Sequence, residues 1–364
     1  MHGAPASPIL GAATWMAADL TDNTTWERPF TTAETDAIDG ALAHLRNVDP
    51  ALDLDAMTVS SFPLGPMQAE FVALRDRIGD GVGAMAYTGF PVDRYTQPEL
   101  RAIWWGLNLH VGTAVSQSWR GDVIGDVRDI GTGITGRAGR GYTSNTELNF
   151  HSDASDVTGL FFLRRGKTGG VSRFASSVSV HNEILRRRPD LLRVLYEPFT
   201  VSWQSNEMPG EQAWYDMPVF GRSGQNLACA IVRTNILWAE RNTGAPPLTP
   251  EQIEAVELVV QVASEPQFWV ERRFDAGTMW FCSNHTVLHM RTEFTDYDEA
   301  DRKRHLLRIW LSLPNGHALS PTFETFFRDI SAGAIRGGYL SRDGQRRFHT
   351  EEQQRPKANH LARS

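Results

Sequence analysis

The sequence predicts a mainly β protein, a barrel or a sandwich, with helices packed against its outside. Eight short β-type runs separated by turn residues carry that expectation, at residues 123–127, 157–163, 170–176, 199–203, 227–233, 268–274, 278–283 and 304–313. Helical spacing is concentrated before about residue 110 and in two inserts that break the strand series. No internal repeat competes with this layout.

Taken in order, the first thirty residues are rich in Ala, Thr, Gly and Pro without a clear period, and read as an arm. Residues 32–47 read as a helix: Thr32 can cap it, Glu34 lies in its first turn, and Ile38, Leu42 and Leu45 recur at helical spacing. Residues 67–78 repeat the pattern with Phe71, Leu74 and Ile78. A strand over 83–92 closes at Gly89 and Pro91. Residues 97–110 form another helix with Leu100, Ile103, Trp104 and Leu107 on one face, and the Trp104-Trp105 pair reads as core. Five glycines and two arginines over 131–143 make a polar connection, either a lid or a plain mobile loop. The inserts are helices over 180–196, where Pro189 starts a second half, and over 250–263. From Ser341 onward the chain is a polar tail. The expected organisation is an arm (1–30), a single domain (31–340) and a tail (341–364).

Composition narrows the function. The chain has 364 residues, 41% hydrophobic and 22% charged, a globular balance. A net charge of −7 argues against nucleic-acid binding. Two cysteines, Cys229 and Cys282, argue against a disulfide framework or a thiolate zinc site and fit a reducing cytoplasm. No leader-like N-terminus and no apolar run of membrane-spanning length is evident, so a membrane partner is not expected. The apolar N-terminal helices serve equally to cover the sheet or to meet a second copy, which leaves a homo-oligomer open.

The informative words are His151-Ser152-Asp153 and a late His289 within Asn284-His285-Thr286-Val287-Leu288-His289. At a strand end, residues i and i+2 point the same way, so His151 and Asp153 can face one ion. A histidine from a distant strand completes a facial triad that leaves three positions open on iron(II). His285 competes with His289 for that place. Arg304 and Arg308 share one face of the last strong strand. A buried arginine needs an anionic partner, either a dicarboxylate co-substrate or a protein Asp or Glu.

These residues together resemble the taurine dioxygenase and clavaminate synthase branch of the iron(II)/2-oxoglutarate oxygenases. The resemblance runs from about Gly83 to Leu313, strongest at Phe150 to Leu160, Gly169-Gly170-Val171-Ser172, Asn284 to Arg291 and Arg304 to Leu311. It implies a double-stranded β-helix, or jelly roll, with His151, Asp153 and His289 as iron(II) ligands. It implies that Arg304 and Ser172 hold the distal carboxylate of 2-oxoglutarate, with O2 as oxidant, and that Arg308 lies nearer the iron. It selects His289 over His285, because the family ligand stands five residues after an asparagine; Met290 departs from the usual small residue. Asp153 argues against halogenation, which leaves hydroxylation as the default, with desaturation, cyclisation and epoxidation open. Candidate substrate contacts are Gln117, Trp119, Tyr142, Asn145, Glu147, Asn149 and Arg308, and Glu147 can pair with an amine. The implied substrate is a small secondary metabolite or an amino-acid derivative. The rival readings are a cupin-like metalloenzyme that needs no 2-oxoglutarate, a jelly-roll binding protein without activity, and a zinc hydrolase.

Overall fold

The computed structural model describes residues 5–22, 24–131 and 143–341. The proposed lid falls almost wholly on residues 132–142, and Tyr142 and the tail from 342 likewise lie outside the described residues. In chain order the strands are β1 (Glu27–Pro29), β2 (Ala84–Thr88), β3 (Thr113–Ala114), β4 (Ile124–Val127), β5 (Leu148–His151), β6 (Val157–Arg164), β7 (Thr168–Gly169), β8 (Ser172–Ser176) and β9 (Phe199–Ser202). They continue as β10 (Trp214–Met217), β11 (Phe220–Ser223), β12 (Asn226–Cys229), β13 (Trp269–Arg272), β14 (Met279–Ser283), β15 (Val287–Arg291), β16 (Phe294–Thr295) and β17 (His305–Ser312). The larger sheet runs β1-β2-β14-β6-β17-β3, with β4 also on β17; the smaller runs β13-β8-β15-β5. Three two-stranded sheets, β9–β10, β11–β12 and β7–β16, lie outside them.

Period-two alternation explains how these sheets pack. Phe162, Trp280, Cys282 and Leu306 of the larger sheet meet Phe174, Val270 and Val287 of the smaller in one buried cluster. Their neighbours Phe161, Leu163, Met279, Phe281, Leu307 and Ile309 face the other way, against the N-terminal helices and their Ile38, Leu42, Phe71 and Trp104. The outer face of the smaller sheet presents Ala175, Leu288 and Met290 to the helical inserts. The result is a jelly-roll sandwich with helices on both outer faces, rather than a closed barrel. Trp104 and Trp105 are core, as the sequence indicates.

Local chemistry sets the helix boundaries. The first long helix, Thr32–Val48, is capped by Thr31 rather than Thr32: the Thr31 hydroxyl accepts from Glu34 N and the Glu34 carboxylate accepts from Thr31 N. Pro189 splits the first insert into Ser177–Arg187 and Pro189–Leu195, while Pro250–Ala263 matches its expected bounds. The expected strand over 227–233 ends at Cys229, and a short helix, Arg233–Leu237, follows. The described part of the expected arm packs on the sheets: Trp15, Leu20 and Trp26 enter the cluster between them, and β1 pairs in parallel with β2.

Candidate metal centre

β5 and β15 are antiparallel neighbours whose register sets His151 opposite His289, and the two rings stand 4.3 Å apart between centroids. Asp153 follows just beyond the end of β5. Its backbone N donates to Asn284 Oδ1 at 3.0 Å, and Thr158 Oγ1 donates to its Oδ2 at 2.7 Å. Asn284 thereby ties the turn before His289 to the segment after His151. One ligand atom from each of His151, Asp153 and His289 lies within 4.8 Å of the others. His151 Nδ1 sits 2.8 Å from the Asn149 carbonyl, which fixes the ring and frees Nε2. His289 Nδ1 faces Cys282 Sγ at 3.8 Å, while its Nε2 looks toward Asp153 Oδ2 at 3.7 Å. Two imidazole nitrogens and a carboxylate, converging from one side, are a donor set that fits iron(II).

The electrostatics suit ligation. Burial works against the charge of Asp153, but Arg308, the two imidazoles and the Thr158 hydroxyl outweigh it and hold the carboxyl well below the usual range. Burial, with His151 beside it, pushes His289 down to about 3, so its imidazole is neutral at neutral pH.

Behind the triad lies a chamber of about 60 Å³ walled by Ser172, Trp280, Arg291, Arg304 and Leu306 among others. Gly169 and Gly170, at φ +67° and +66°, make the left-handed turn into β8 that presents Ser172; a Cβ on Gly169 would stand 2.1 Å from Glu293 O. Arg304 is 4% exposed, has no carboxylate within 4.0 Å among the described residues, and leaves a terminal nitrogen without a hydrogen bond. Burial, with Arg291 nearby, pushes it down to about 9. The choice of partner left open by the sequence therefore divides. Arg308 has a protein acid, Asp153 Oδ1, at 3.5 Å, whereas Arg304 has none and fits an incoming carboxylate.

On the other side of the triad a larger cavity, about 180 Å³, shares His151, Asp153 and Arg308 with the inner chamber. It brings together Gln117, Glu147, Asn149 and Arg308 in its walls. Gln117 is locked rather than free: its Oε1 accepts from Arg308 Nε at 2.7 Å, and its Nε2 donates to the Arg308 and Val123 carbonyls. Asn145 lines neither cavity; its carbonyl accepts from Phe294 N. Trp119 also stays outside, its backbone N donating to Asn206 Oδ1. Sequence reasoning missed Asn206, Asn235, Trp238 and Tyr339, which come to this cavity from distant segments with no shared pattern.

His285 belongs elsewhere. Its Nε2 meets Asp156 Oδ1 at 2.8 Å, and Arg336 Nε donates to the same oxygen at 2.7 Å. A separate cavity of about 170 Å³ lies against this cluster but contains no triad residue. The inner chamber and the larger cavity both have His151 and Asp153 in their walls.

Residues 59–310 match the family described as taurine catabolism dioxygenase TauD, TfdA family. The chain is 28% identical over 333 residues to FR-33289 synthase of Streptomyces rubellomurinus, covering 90% of this chain and 97% of that protein. It is 25% identical over 309 residues to a taurine hydroxylase-like protein of Stachybotrys chartarum, covering 81% and 77%. Its fold is similar to that of an asparagine oxygenase solved with Fe(II), a 3-hydroxyasparagine and succinate, with a TM-score of 0.59 at 17% identity over 79% of this chain and 93% of that one.

Proposed function

The chain belongs to the TauD, TfdA family, and from that premise we propose that it hydroxylates a small amino-acid-derived or secondary-metabolite substrate carrying both an amine and an acid group. It is an iron(II)/2-oxoglutarate-dependent oxygenase. The observation that carries the cofactor chemistry is the buried Arg304, with no carboxylate beside it among the described residues, in a chamber that opens on the His151, Asp153, His289 triad. A cupin-like enzyme without 2-oxoglutarate has no use for that cation.

The residues divide the work as follows. His151, Asp153 and His289 would hold iron(II), with one ligand atom from each within 4.8 Å of the others. Arg304 and Ser172 would receive the distal carboxylate of 2-oxoglutarate. Bound iron(II), with O2 and the keto acid, supplies the oxidising power for an unactivated C–H bond, with succinate and CO2 released. Trp280, Leu306 and Leu160 wall the inner chamber with apolar surface and exclude water. Gln117 holds Arg308 between itself and Asp153, over the Trp310 ring at 4.8 Å.

The substrate reading rests on the outer cavity. Glu147 offers a carboxylate, Arg308 a cation, and Asn149 and Asn235 offer carboxamides along the walls. The match to a synthase along nearly its whole length supports a biosynthetic role. Two free, buried cysteines support a reducing compartment, and no helix among the described residues is long and apolar enough to cross a membrane.

The test is succinate release from iron-loaded protein across a panel of amino-acid derivatives, matched monoacids and matched amines. Compounds bearing both groups should stimulate it most, and Glu147→Gln should raise KM for them while leaving the weak substrate-free reaction unchanged. Stimulation confined to neutral or hydrophobic compounds would sink the proposal.

A further inference from the structure

A second buried arginine faces the inner chamber, and neither the iron triad nor Arg304 accounts for it. Arg291 is 6% exposed and lies on β15 directly across from Ser172 on β8. Directly opposed residues project from the same face of a sheet, so Arg291 shares the inward face of Ser172. Both line the chamber with Arg304. The Phe294 ring lies 4.7 Å from the Arg291 guanidinium carbon and 5.0 Å from that of Arg304, so one aromatic ring supports both cations.

The hydrogen bonds of Arg291 are divided. One terminal nitrogen donates to the carbonyls of Ser144 (2.9 Å) and Thr146. Its Nε is buried and has no partner, and no carboxylate lies within 4.0 Å of it among the described residues. Asp296 is nearby, but its Oδ1 accepts from Arg304 N and its Oδ2 is itself unpartnered. Two cations therefore wall one small chamber with no acid bonded to either. Burying like charges together is costly unless an anion enters between them. The segment that Arg291 grips runs straight into Glu147 and Asn149, which wall the outer cavity.

We propose that Arg291 is a second cation for the distal carboxylate of 2-oxoglutarate, and that it ties that carboxylate to the segment presenting Glu147 and Asn149. The chamber is a two-arginine clamp, and filling it steadies one wall of the substrate cavity. This rests on the 2-oxoglutarate reading of the chamber.

The experiment compares two keto acids on anaerobic, iron(II)-loaded protein, followed by the weak visible band of the keto acid–iron chelate. 2-Oxoglutarate has the distal carboxylate and pyruvate lacks it. The parent must first show the band with each acid; a parent silent with both would fail the cofactor assignment, not the clamp. Arg291→Met should weaken 2-oxoglutarate binding by about tenfold, the scale of one lost charge-assisted hydrogen bond, and change pyruvate binding less than twofold. Arg291→Lys, which keeps the charge, should recover part of the loss, and it carries the comparison alone if the Met variant does not fold. Amide exchange over residues 144–149 should slow when 2-oxoglutarate is added to the parent, and not in Arg291→Met. Equal weakening of both acids, unchanged 2-oxoglutarate binding, or exchange that slows alike in parent and variant would overturn the proposal.

Discussion

Asp153 and Asp156 are near neighbours in sequence, and each is a buried carboxylate held ionised beside a histidine and an arginine. Their surroundings differ in completeness. Around Asp156 the account closes: Arg336, His285 and the Leu313 backbone N donate to its two oxygens, and Arg336 is 1% exposed. Around Asp153 it stays open. The imidazole nitrogens converge without a common partner, and two guanidiniums behind them have nitrogens with no acceptor. A closed cluster of buried charge is structure, and an open one is a place for a ligand.

The largest expected effect separates two Arg→Leu substitutions. Arg336→Leu leaves Asp156 as a buried charge without its cation and should cost about 3–5 kcal/mol of folding stability, read by denaturant titration. Arg304→Leu removes a charge that has no carboxylate partner among the described residues. It should leave stability unchanged or higher, yet weaken 2-oxoglutarate binding by about ten- to hundredfold, the worth of one or two charge-assisted hydrogen bonds. Equal destabilisation by the two would erase the distinction.

Acid comes next. Burial opposes the ionisation of Asp156, but Arg336 and His285 outweigh it and hold the carboxyl below its unfolded value of about 3.9. A depressed carboxylate contributes stability that is present above the unfolded pKa and is lost as pH falls toward the folded one. The Tm of the metal-free protein should therefore fall steeply below about pH 4. Asp156→Asn should flatten that fall; an unchanged Tm-against-pH curve in this variant would remove Asp156 as its cause.

The smallest effect concerns the two histidines. His285→Gln should lower stability by about 1 kcal/mol and leave iron affinity intact. His289→Gln should do the reverse, abolishing the 2-oxoglutarate–iron band with little change in Tm. Loss of the band in both variants would mean that the closed cluster also supports the metal.

Much of this was legible in the chain. Period-two alternation put residues 306, 308 and 310 on one face of β17, with Arg304 just before it, and His151 with Asp153 on one side of a strand end, because side-chain direction in a strand is fixed by local backbone geometry. Gly89 and Pro189 marked element boundaries for the same local reason. The order of the histidine, acid and arginine words then identified the family. What the sequence left even was the partner of each arginine, and only the fold decided it. Arg308 reaches Asp153 and Gln117, Arg336 reaches Asp156 across 180 positions, and Arg304 reaches no acid among the described residues. Tyr339 and Asn235 join the outer cavity with no local signal at all. The reason is physical: periodicity records which way a side chain points, whereas the satisfaction of a buried charge depends on atoms that long-range packing brings to it, and those leave no mark in the residues nearby.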